Sequence, residues 1–124
     1  MKRKIPFNLF GEEQELCFTI KKIGELEKVT GKGIQQLIRS EEAGINFCLG
    51  ALPICLEKKS PDFYVERIEE YLESGGAIDD IATPIAHAIL ATGIIGKVVS
   101  DSVMAIYYPD LYPKVIEDTE QKNE

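Results

Sequence analysis

The sequence predicts a mainly α protein, with a short N-terminal β-hairpin packed on a bundle of short helices around a central apolar helix. Three observations predict it. Two hydrophobic runs of period two flank Gly11, apolar residues at helical spacing fill the chain from Ile23 to Leu72, and the segment from Ala77 to Val99 is apolar on nearly every side.

The hairpin is expected over about residues 4–20. Ile5, Phe7 and Leu9 alternate along the first run, with Phe10 out of pattern, and Leu16, Phe18 and Ile20 share one face of the second. Pro6 has no N–H to give a ladder, which puts its strand at an edge. Two strands alone are marginal in water, so the hairpin must lie against the helices.

Ile23, Leu26 and Val29, joined by Ile20, form the stripe of the first helix, with Glu25, Glu27 and Lys28 outward. Gly31 comes next as the left-handed C′ residue, where a Cβ would clash. Ile34, Leu37 and Ile38 make a short second helix, and Glu41 to Gly44 link it to a third, from Ile45 to Lys58. In that helix Ile45, Cys48, Leu49, Leu52, Cys55 and Leu56 repeat at helical spacing, and Pro53 is expected to kink or restart it.

Ser60, Pro61 and Asp62 give an N-cap, a first-turn proline and an acid at the positive helix end. Tyr64, Ile68, Tyr71 and Leu72 supply this helix's stripe, and Gly75-Gly76 end it. From Ala77 to Val99 the chain reads as the central helix, with Thr83 capping a restart at Pro84 after a first turn at Asp79-Asp80. The helices span about residues 21–106 of a single globular domain, 1–110, and residues 111–124 read as an acidic flexible tail.

Composition narrows the function classes. The 124 residues are 44% hydrophobic and 28% charged, enough for a real core and unlike a disordered chain. A formal charge of −7 disfavours nucleic acid and anionic membranes, because phosphate contacts want Lys and Arg. Met1 to Lys4 is basic like the start of a signal peptide, but Pro6, Asn8 and Glu12 interrupt the stretch where an apolar region would stand. The three cysteines form no CxxC pair, and the reading is a reduced, cytoplasmic protein. Ile85 to Val99 holds His87 and Lys97 and falls short of the roughly 20 residues a membrane span needs.

No residue set assembles a catalytic, cofactor or metal site. Thr30 to Gly33 looks like a phosphate-binding loop, yet Leu26 stands where the loop's first Gly belongs and Gly33 replaces the hydroxyl. A helix-to-helix turn explains it. His87 has Thr83, Pro84, Leu90 and Ala91 as helix neighbours, so it reads as a core or half-buried histidine. Cys48 and Cys55, one heptad apart without a basic neighbour, read as packing residues. The acidic pairs Glu12-Glu13, Glu41-Glu42, Glu69-Glu70 and Asp79-Asp80 are adjacent residues on solvated faces or helix starts, without cleft or calcium-loop spacing.

The two short helices around Thr30 to Gly33 also admit a helix-turn-helix reading. The recognition helix, Gly33 to Ser40, would offer only Lys32, Arg39 and two glutamines. Tyr107, Tyr108 and Tyr112 could anchor a protein interface or simply cover the end of the core. A protein that binds protein remains the favoured class.

Leu16, Phe18 and Ile20, then Ile23, Leu26, Glu27, Thr30, Gly31 and Lys32, then Leu37 carry a resemblance. This strand-into-helix order resembles the small tail assembly chaperones of long-tailed phages, prophages and gene transfer agents. The likeness covers the first half, and the remainder agrees in size and pattern; Pro53 and Pro84 inside the helices depart from it. It implies a non-enzymatic, cofactor-free protein of the bacterial host cytoplasm. Such a protein would bind the long helical tape measure protein and keep it soluble while the tail tube assembles. Self-association is part of the expectation; a nucleic-acid or membrane partner is not. The alternative is a small helical regulatory or DNA-associated protein using the helices around Thr30 to Gly33.

Overall fold

The computed structural model describes residues 3–39, 44–56 and 60–111. Among them the chain is mainly helical with a short N-terminal hairpin, as the hydrophobic periodicities predict. Strands β1 (Ile5–Phe7) and β2 (Gln14–Leu16) pair antiparallel, with Ile5 opposite Leu16 and Phe7 opposite Gln14. Six helices come after them: α1 (Ile20–Thr30), α2 (Ile34–Arg39), α3 (Ile45–Leu56), α4 (Pro61–Glu73), α5 (Asp79–Leu90) and α6 (Lys97–Tyr107).

The hairpin survives because the inward residues of both strands, and the segment leaving β2, enter the core. Ile5, Phe7, Leu16 and Phe18 are buried, and β1 and β2 pack on α5 while β2 also meets α3. Period-two logic carries Leu16 and Phe18 inward but fails at Ile20. Thr19 accepts the Lys22 N–H on Oγ1 at 3.2 Å, which caps α1 and makes Ile20 its first residue, 67% exposed. The strand ends because the cap wins. At the other end of α1, Gly31 lies at φ 71° and donates its N–H to the Glu27 carbonyl, the left-handed cap expected of it.

The apolar helix at the middle of the bundle is α3. It contacts α1, α4, α5 and β2, and Phe47, Cys48, Ala51, Leu52, Cys55 and Leu56 are all buried. Pro53 neither restarts nor ends it, since Ile45–Leu56 is one helix. The proline leaves the Leu49 carbonyl without its helical donor, a local cost that burial of this face offsets. Gly50 lets α1 approach, because a Cβ there would stand 3.2 Å from Val29 Cγ1 and 3.4 Å from Leu26 Cδ1. The stripe itself is narrower than the periodicity suggests: Ile45 is exposed at its start.

Ala77 to Val99 is not one central helix. It divides into α5 and the beginning of α6, with a turn at 91–96 that contains Gly93 and Gly96. Gly96, at φ 117° and ψ 153°, occupies a region essentially closed to other residues. The unbroken apolar run reflects two helices and a turn covering one another. Nor does Thr83 cap a second start: α5 runs from Asp79 through Pro84 to Leu90. Asp80 braces its beginning, accepting the Ala77 N–H at 3.1 Å and the Tyr71 hydroxyl at 2.7 Å.

α4 begins at Pro61 as its sequence predicts, although the Ser60 side chain makes no cap bond. It ends as expected on the glycines. Gly75, at φ 103°, bonds to the Leu72 carbonyl and Gly76 to that of Tyr71, the pair of bonds of a Schellman end. Of its stripe, Tyr64 and Ile68 are buried while Leu72 is partly exposed.

Two side-chain networks tie the N-terminal segment to the helices. Arg3 is 7% exposed; it donates to Ser100 Oγ at 2.7 Å and pairs with Asp101 at 2.8 Å. Ser100 in turn donates to the Ala91 carbonyl at 2.8 Å, so α6 is fastened to both the strand side and the α5 turn. The second network is aromatic. Phe7 meets Phe10 edge-on at 5.2 Å, Phe10 lies 6.4 Å from Tyr64, and Tyr64 meets Phe63 at 5.1 Å.

Tyr64 carries an anomaly. It is 1% exposed, and its hydroxyl finds no hydrogen-bond partner among the described residues. An unmatched buried hydroxyl costs about 1–3 kcal/mol. Tyr64→Phe is therefore expected to leave the fold intact and to be neutral or stabilising by up to about 1 kcal/mol. Urea denaturation checks this; a clear loss of stability would mean that the hydroxyl is satisfied.

Candidate functional site

Two surfaces outside the core have the character of binding sites. The first is a cleft of about 390 Å³ where four elements meet. Val29 and Thr30 come from the end of α1, Lys32 from the turn, Leu37 from α2, Asn46, Phe47, Leu49 and Gly50 from α3 and Pro61 from α4. Gly50 makes part of the wall bare backbone, and Val29 stands on the rim at 64% exposure. Sequence periodicity assigns Val29 to the core, but α1 buries only Ile23 and Leu26. The close approach at Gly50 turns Val29 toward the cleft, and this signal is tertiary.

The second surface is the outer side of α6. Val98, Ser102 and Ile106, four residues apart, are exposed, with Val98 at 79% and Ile106 at 68%. The opposite side, with Ser100, Val103 and Met104, is buried. The helix is therefore apolar on two faces, and its sequence alone could not say which one the core would take.

His87 lies near the end of α5, half-buried as expected, but its neighbours come from α6. Its Nδ1 is 2.8 Å from the Tyr108 hydroxyl, and its ring stacks on Tyr107 with centroids 4.3 Å apart. Helix spacing around residue 87 could not have found these partners, which arrive after the chain reverses. Of the tyrosine cluster, Tyr108 thus covers the core and Tyr107 is half exposed; Tyr112 lies outside the described residues.

Burial lowers the His87 pKa below 6.5. The unfolded chain then binds more protons than the folded one as pH falls through the interval between the two values. The histidine's contribution to stability is present above pH 6.5 and is lost as acid takes the pH through the folded value. His87→Gln should flatten this slope: the stability difference between wild type and variant is expected to shrink from pH 7.5 to pH 5 in matched denaturant titrations. A constant difference would count against it.

The remaining chemical candidates stay apart. The cysteine thiols of Cys48 and Cys55 are pushed up to about 12 by burial, so neither is a thiolate at neutral pH. Amides in the Thr30 to Gly33 region are committed to helix ends: Gly31 bonds to the Glu27 carbonyl, and Ile34 donates to Glu27 Oε2 at 2.8 Å. Glu27 thereby caps α2 across the turn. Glu12 and Glu13 are exposed in the hairpin turn, Glu69 and Glu70 on α4, and Asp79 and Asp80 in the first turn of α5. Glu41 and Glu42 fall outside the described residues. No group of three His, Cys, Asp or Glu side chains among the described residues could hold a metal.

Gln35 and Gln36 are exposed on α2, where a recognition helix would carry them, but α2 has only six residues. No helix among the described residues is long and apolar enough to cross a membrane. Comparison with known proteins adds no relative: no family model, curated protein or solved structure matches the chain.

Proposed function

We propose that this protein is a non-enzymatic, phage-type tail assembly chaperone that binds the tape measure protein and keeps it soluble in the bacterial host cytoplasm. The reading joins the resemblance carried by Leu16 to Leu37 to one observation, the apolar outer side of α6. A soluble client-binding protein needs apolar area that its own core does not consume, and Val98 and Ile106 supply it. Ser102 between them lets a partner backbone come close. Binding is stoichiometric, and self-association through the same side belongs to the proposal.

The test is co-expression with the longest helical protein encoded beside it, followed by light scattering on the purified material. A soluble complex, with the client insoluble alone, supports the reading, and Val98→Asp combined with Ile106→Asp should abolish it while circular dichroism is unchanged. An insoluble client beside a well-folded monomer would overturn it.

The alternative regulatory or DNA-associated reading has one feature in its favour. The stretch from Lys28 to Arg39 holds three cations and no carboxylate. It requires duplex binding that weakens steeply with salt.

A further inference from the structure

We infer that α6 is a hinged arm, which leaves α5 as one unit about the turn at 91–96 while the rest of the bundle stays folded. The inference concerns a motion of the protein itself and holds whatever client it binds.

The hinge is a pair of glycines. Gly93 lies at φ 84° and Gly96, the residue before α6, at φ 117°. A Cβ at either position would meet nothing within 4 Å, so neither glycine makes room for a neighbouring segment. What they supply is backbone freedom, the property a moving element needs at its point of attachment. The turn itself belongs to α5. Thr92 and Gly93 donate their N–H groups to the Ile89 and Leu90 carbonyls, and Gly96 donates to the Gly93 carbonyl at 2.9 Å. Rotation therefore falls at Gly96, with the turn left in place.

The arm has few anchors in the core. Where α5 buries Ile81, Ala82, Ile85, Ala88 and Ile89, α6 sends Met104 alone into the main apolar cluster, and Val103 is buried outside that cluster. Among the helices α6 packs chiefly on α5. The rest of its attachment is polar: Ser100 to the Ala91 carbonyl, Arg3 to Ser100 and Asp101, and Tyr108 to His87. Opening exchanges these hydrogen bonds for bonds to water, and both charges of the Arg3–Asp101 pair regain hydration together. That costs far less than removing one of them from the closed protein. A helix held in this way opens at a lower free energy than the whole protein unfolds. The open arm presents Val103 and Met104 as well as its outer side, Val98 and Ile106.

Once off α5, a helix of 11 residues is too short to keep its own hydrogen bonds in water, so its amides exchange in the open state. The experiment is native-state hydrogen exchange of the full chain, read residue by residue by NMR at urea concentrations below the unfolding transition. The amides of Val103, Met104 and Tyr108 should exchange at least about tenfold faster than the slowest of α3. Their rates should barely depend on urea, because the opening exposes little surface. Leu52→Ala weakens the bundle at α3. It should speed the α3 amides at least about thirtyfold and leave those of α6 within about twofold. Ile23→Val on α1 is a milder loss that keeps the test open if the alanine variant does not fold. It should speed the α3 amides about threefold to tenfold, again without moving those of α6.

Exchange of α6 as slow as that of α3, with the same dependence on urea, would overturn the inference. So would a common speeding of both helices in either variant, which would mean that they open only together. Fast exchange confined to the last turn, with Val103 and Met104 protected like α3, would mean fraying of a helix end and would overturn it equally.

Discussion

Arg3→Ala is expected to destabilise the protein by about 3–5 kcal/mol, the cost of breaking a buried ion pair from one side. The guanidinium is almost wholly buried, and Asp101, its partner at 2.8 Å, is 15% exposed. Removing the arginine leaves that carboxylate in a low-dielectric site with Lys97, 3.8 Å away and half exposed, as a weaker counter-charge. Ser100 also loses a donor, although its bond to the Ala91 carbonyl can persist. Chemical denaturation of Arg3→Ala, Asp101→Ala and the double variant gives the coupling directly. The double variant should lose clearly less stability than the two single losses added together, because removing both charges leaves neither unpaired. Simple additivity would mean that the pair is solvated and structurally unimportant.

Phe7→Ala is expected to cost about 3–5 kcal/mol, the range for truncating a buried phenylalanine. Phe7 is 2% exposed in a strand of three residues. It begins the aromatic chain that passes through Phe10 to Tyr64 and Phe63 on α4. A hairpin this short has almost no stability of its own, so its attachment depends on the side chains it sends inward. Amides of β1 and β2 should therefore lose hydrogen-exchange protection further than those of α3 in the same variant. Uniform loss across both would show that the hairpin and α3 open only together.

The two surfaces outside the core differ in character. The outer side of α6 is apolar and uncharged along Val98, Ser102 and Ile106, suited to extended contact with a helix. The cleft beside Gly50 is smaller and mixed, with Val29, Leu37 and Pro61 beside Thr30, Lys32 and Asn46.

Several features were legible from residue order because their causes are local. Gly31 ends α1 and Gly75-Gly76 end α4 through backbone conformations that neighbouring carbonyls reward. The inward faces of Ile23 and Leu26, of Leu52 and Cys55, and of Tyr64 and Ile68 come from helical spacing alone. The seclusion of the two cysteine thiols has the same origin.

What periodicity could not decide was which of two apolar choices the core would take. Ile20 belongs to the strand's alternation, but the Thr19 cap hands it to the helix and to solvent. Val29 and Ile45 fit their stripes, yet both are exposed, and Val29 keeps one methyl against Gly50 at the rim of the cleft. The run from Ala77 to Val99 reads as one helix because a buried turn is as apolar as a buried helix. Only its packing, with Gly96 in a conformation open to glycine, reveals the reversal.

By itself, then, the sequence determined the class of fold, the glycine ends of α1 and α4 and most of the inward residues, since these depend on neighbours within one or two turns. Only the tertiary structure decided the partners of Arg3 and His87, the choice of α3 as the centre, and the cleft. Each of these depends on contacts between residues far apart in the chain, 97 positions for Arg3 and Ser100, and hydrophobic attraction alone is too undirected to specify them in advance.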